Sequence, residues 1–145
     1  MLRILLFLSL SLCVGGCTCK GEEFRESADP NKRMLLGTWD LVSSVEYTVI
    51  YESDGTTRKT SPVECGFDPR RYVFHGNYVR VGDPRTSACF YDGPYELDED
   101  NRMMCADTYF GQVRVEDDTL TFTVEADVGE GRIFEVKVGT AKRVR

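Results

Sequence analysis

Histidine is almost missing from this chain. His75 is the only one in 145 residues, and it sits beside Gly76-Asn77, where a turn is expected. One turn histidine cannot assemble a Ser-His-Asp triad or a His-rich metal centre. Asp98-Glu99-Asp100-Asn101 lacks the glycine and the distant Glu of a calcium loop and is an acidic hairpin tip. No cofactor, metal or catalytic set is expected, so the protein is expected not to be an enzyme. Basic excess is missing too. Eighteen Lys and Arg stand against 24 Asp and Glu, a net charge of −6, which argues against nucleic acid as a partner. Long hydrophobic runs are absent. The longest spans Ile4 to Val14, eleven residues, against about 20 for a bilayer-spanning helix. No repeat, low-complexity tract or ten-residue helical pattern is evident.

What is present begins at the N-terminus. A basic Arg3, a short apolar core and the small residues Gly15 and Gly16 predict a secretory signal peptide over 1–16. Val14-Gly15-Gly16-Cys17 resembles the lipobox of bacterial lipoproteins. Cys13 competes poorly, because bulky Leu12 precedes it. The resemblance implies that Cys17 is acylated (palmitate among the chains) and becomes the new N-terminus. It further implies a membrane partner reached through those chains, since stable anchoring takes more than one. The location implied is the bacterial cell envelope, in the outer rather than the inner membrane. Residues 17–33 have almost no apolar content and are expected to form a flexible tether with a reach of roughly 20–24 Å.

From Met34 onward the sequence period is two. Trp39, Leu41, Val45, Tyr47, Val49 and Tyr51 fall on one face, interrupted only by Ser43. Residues 119–127 alternate without fault. Turn signals separate strands predicted at 37–52, 56–61, 70–75, 77–82, 93–98, 102–107, 109–116, 119–127 and 132–139, with 87–91 either strand or loop. Many short antiparallel strands predict an all-β, up-and-down meander over 34–145, closing into a barrel of about eight strands to remove its edges.

Leu36-Gly37-Thr38-Trp39-Asp40-Leu41 resembles the opening of a lipocalin-like domain. "CGFDPRRYVFHGNYV", a second cysteine at Cys89 and "GQVRVEDDTLTFTV" resemble the small bacterial envelope members of that group. The resemblance implies a short helical turn over 31–35, Trp39 plugging one barrel end, and a covering cation from Arg143, Arg145 or Lys142. The expected barrel interior or ligand cavity contains Trp39, Leu41, Tyr47, Tyr51, Phe74, Tyr95, Phe122 and Val124. Two functions are expected on this basis. One is binding of a small apolar or amphipathic ligand. The other is a rigid barrel platform for a protein partner, such as an enzyme inhibitor or assembly accessory, working through loops 62–69 and 83–92.

Cysteine usage fits an oxidising compartment. A two-residue turn at Gly76-Asn77 would place Cys65 opposite Ala88; a three-residue turn would place it opposite Cys89. The lipocalin-like resemblance implies the disulfide Cys65–Cys89. Cys89–Cys105 is its rival, and Cys105 is otherwise free or joined to Cys19.

Overall fold

The structure, a computed structural model, describes residues 29–106 and 108–145. The expected signal peptide, Cys17, Cys19 and most of the expected tether lie outside the described residues. A short helix, α1 (Pro30–Leu35), comes first. Asp29 caps it by accepting from the Asn31 amide at 2.9 Å, and Pro30 occupies the first turn, where its missing N–H is no loss. Ten strands follow: β1 (Gly37–Tyr51), β2 (Thr57–Lys59), β3 (Val63–Glu64), β4 (Arg71–His75), β5 (Tyr78–Gly82), β6 (Cys89–Leu97), β7 (Arg102–Cys105), β8 (Thr108–Glu116), β9 (Thr119–Asp127) and β10 (Ile133–Arg143). Residues 87–91 and 93–98, predicted as separate segments, merge into β6 because Gly93 and Pro94 extend the strand instead of turning it.

Every pairing is antiparallel, and the sheet follows a ring. Neighbours run from β4 through β5, β6, β7, β8 and β9 to β10, and β1 pairs with both β4 and β10. The expectation of an up-and-down lipocalin-like barrel of about eight strands is corrected on this point. The molecule is one ten-stranded antiparallel sheet in a ring-like arrangement, and β1 alone has four partners. Its first residues, 37–40, pair with β4. Its second half pairs with β3 and β2 on the same edge. Fifteen residues is longer than any one of these partners, so three short strands share that edge.

Inside the ring lies one core. Trp39, Phe74, Val79, Met103, Leu120 and Ala141 are fully shielded, with Leu35 of α1 and Tyr95 closing one end. Trp39 Nε1 donates to the Leu35 carbonyl at 2.7 Å, so the indole's polar atom is satisfied without water. Arg143 stacks its guanidinium 4.1 Å from the Trp39 ring and donates to the Leu36 carbonyl at 2.6 Å. Phe74 meets Tyr95 edge-on at 5.3 Å. His75 is not a solvated turn residue: it is the last residue of β4, 5 % exposed and stacked on Tyr78.

Candidate interaction site

The face assignments of β1 decide where its side chains work. Leu41 pairs with Ala141, but the next paired residues are Ser43 and Thr140, so β1 carries one extra residue at this step. Side chains alternate along a strand, and an inserted residue exchanges the two faces of everything after it. Trp39 and Leu41 point into the ring. Beyond the bulge the inward series is Ser44, Glu46 and Thr48. Ser44 pairs with Gly139 and Glu46 with Lys137, and Ser44, Lys137 and Gly139 line an interior recess with Leu41.

The eight expected interior residues therefore separate. Trp39, Phe74, Tyr95 and Phe122 belong to the core, with Leu41 packed against it. Val124 stands at the recess rim, 37 % exposed. Tyr47 and Tyr51 are corrected: both follow the bulge and face outward, Tyr51 at 49 % exposure.

The recess has a volume of about 380 Å³ and opens to solvent at the end of the ring opposite α1. Its floor is an aromatic trio in which Tyr72 and Phe122 lie 4.7 Å apart and Phe110 meets both rings edge-on. Burial pushes the Tyr72 hydroxyl up to about 12. Among the described residues the core fills the rest of the ring interior, and no enclosed ligand cavity, the basis of the expected small-ligand function, is evident. The barrel platform falls with the barrel. Of its two loops, 62–69 contains β3, and 83–92 contains the start of β6; Arg70, just past the first, lies over Phe90 of the second at 4.0 Å.

The expected Cys65–Cys89 disulfide is also corrected. Among the described residues no disulfide joins Cys65, Cys89 or Cys105. The β4–β5 hairpin has the two-residue turn, with His75 opposite Tyr78, and its ladder stops at Arg71 and Gly82. Before that point the chain has left the hairpin. The Cys65 amide donates to the Ser44 carbonyl at 2.8 Å, which ties Cys65 to β1. Cys89 lies across from Gly82 on β5. The Cys65 thiol, 3.6 Å from Glu46 Oε2, is shifted upward by burial and by that carboxylate.

The outward series of β1 is Val45, Tyr47, Val49 and Tyr51. Val45 pairs with Val138, Tyr47 with Val136 and Val49 with Phe134, so β10 adds three apolar side chains to the same face. Tyr51 meets Phe134 edge-on at 5.7 Å, and Val136 is sealed beneath its neighbours at 1 % exposure. Charges flank the stripe in register. Lys59 pairs with Val49 on one side, and Asp127 pairs with Phe134 on the other. Lys59 Nζ stands 3.7 Å over the Tyr47 ring. The solvent side of an antiparallel sheet is ordinarily polar. Tyr51 is exposed, Val136 is shielded and the other members are half-buried, so the stripe with its polar rim is a candidate interaction surface. Reading the alternation as unbroken hid this surface; the signal for it was Val42-Ser43-Ser44, where the apolar series fails.

Among the described residues no group of His, Cys, Asp and Glu is placed to hold a metal ion, and no helix is long and apolar enough to cross a membrane. No family model matches the chain. No curated protein and no solved structure matches it either. The resemblance to a bacterial lipoprotein carrying a lipocalin-like domain therefore gains no support from known proteins. The ring-shaped sheet departs from it as described, and no lipid-anchor signal falls among the described residues.

Proposed function

We propose that this protein is a non-catalytic interaction domain of the cell envelope, and that it binds a partner protein through the outer face of β1 and β10. The apolar stripe carries this reading. Tyr47, Tyr51 and Phe134 supply large, stiff contact surfaces of the kind that dominate binding energies. Lys59 and Asp127 bracket them with opposite charges. The fitting partner has a flat apolar surface with an acidic group on one side and a basic group on the other. Export to the envelope, in the outer membrane, and membrane attachment through acyl chains on Cys17 complete the proposal. Both rest on residues 1–17, and the overall negative charge leaves the chains to supply the membrane affinity.

A photo-crosslinking amino acid at position 49 tests the proposal in the intact envelope. The expected result is a discrete adduct that is absent when the probe stands at Arg80, outside the stripe. The purified partner should then lose at least roughly 30-fold in affinity for Val49→Asp, the size of a central hot spot. Equal crosslinking from positions 49 and 80, or unchanged affinity of Val49→Asp, overturns the reading.

A further inference from the structure

The outer face of β7, β8 and β9 holds a groove of about 550 Å³. A second bulge makes it. Met103 pairs with Gly111 and Met104 with Tyr109, which leaves Phe110 as an extra residue on β8. Phe110 turns into the aromatic floor of the recess, and Tyr109 is turned outward, 43 % exposed, against the groove. Gly111 permits the bend. It has φ +134°, and a Cβ there would stand 3.0 Å from the Thr123 carbonyl oxygen.

Across the groove runs a row of polar side chains in register. Arg102 pairs with Gln112, and Gln112 pairs with Thr123. A guanidinium, an amide and a hydroxyl thus recur at the strand spacing of about 4.8 Å, close to the length one pyranose unit takes along an extended chain. Glu125 stands one outward position beyond Thr123 and lines the same groove; among the described residues no side chain pairs with it. Asp98 lies at the other side, accepting from the Asp100 and Arg102 amides at 2.9 and 2.8 Å. Arg102 is offset by Asp100 at 3.6 Å.

We propose that this groove binds a neutral saccharide. A pyranose has an apolar C–H face that suits an exposed tyrosine ring. Its edge of hydroxyls both donates and accepts, matching amide, hydroxyl and carboxylate together. The uncompensated Glu125 sets a charge against phosphates, uronic acids and other anions. The polar row makes the groove a poor host for an acyl chain. An open groove of this volume lies in the range that holds small ligands.

The test is an NMR titration of the purified protein with the trisaccharides of glucose, mannose and N-acetylglucosamine, and with trigalacturonic acid as the anionic counterpart. At least one neutral trisaccharide is expected to shift the amides of Arg102, Tyr109, Gln112 and Thr123 saturably at millimolar concentration. Tyr109→Ala should weaken it roughly ten-fold, and Glu125→Gln should narrow the preference over trigalacturonate. Gln112→Ala serves if Tyr109→Ala does not fold. The proposal is overturned if no neutral trisaccharide shifts these amides, if trigalacturonate binds as well, or if folded groove variants bind unchanged.

Discussion

Trp39 is held by three contacts of different chemistry: the Leu35 carbonyl at its indole nitrogen, the Arg143 guanidinium over its ring, and the surrounding core. Replacing it with alanine removes all three and leaves the buried Leu35 carbonyl without a donor. Trp39→Ala is expected to cost about 3–5 kcal/mol, visible as a large fall in the denaturant midpoint; an unchanged midpoint contradicts the packing described. Tyr72 and Cys105 make a second residue-scale prediction. Burial raises the Tyr72 hydroxyl from 10.0 to about 12 and the Cys105 thiol from 9.0 to about 11. Each group is neutral when protonated, and the folded state holds its proton more tightly than the unfolded chain does. Their stabilisation is complete below pH 9 and is lost as pH rises toward 12. Urea midpoints measured from pH 8 to 12 should fall across that window, and Tyr72→Phe should flatten part of the decline. A midpoint that holds constant to pH 12 contradicts the burial of both groups.

At the scale of the element, β1 shows how one residue redistributes a strand. Alternation made the strand itself legible from Trp39 to Tyr51, and β9 likewise, because a half-buried strand imposes period two on its side chains. The faces were not legible past Val42. A bulge costs the sequence only one inserted residue, yet it exchanges core and solvent for the whole remaining strand. The cysteine pairing failed for a related reason: a register extrapolated from the β4–β5 turn holds only while the two strands stay paired, and Cys65 sits on β1's edge instead. The outer stripe was thus written in the sequence as an interior. Deleting Val42 would leave Leu41 on Ala141 and Ser43 on Thr140 in one continuous ladder, so every residue past the bulge keeps its partner and its face. Cooperative thermal unfolding is therefore expected to survive the deletion. Val42→Ala, at an exposed position, should cost less than about 1 kcal/mol. Loss of the cooperative transition on deletion would contradict the assignment of Val42 as the extra residue.

For the whole molecule, the decisive pairing is β1 with β10, which runs from Trp39–Arg143 to Ile50–Ile133 with one bulge. The all-β class and most strand positions were legible because turn residues punctuate the chain at short intervals. The branching at β1 was not, since it depends on which distant strand reaches its edge first. Contacts this far apart in sequence slow folding, because the intervening loop must close before they form. Refolding from urea is expected on the millisecond-to-second scale. Removing residues 133–145 should abolish the cooperative transition altogether, because it opens β1 and β9 together; a truncated chain that still unfolds cooperatively would contradict the ring. The same pairing has a consequence for biogenesis. The first described strand has its longest partner in the last described one, so the core described above is incomplete until β10 has been synthesised. A nascent chain that must wait for β10 keeps its ring open while it emerges, which suits the export proposed above.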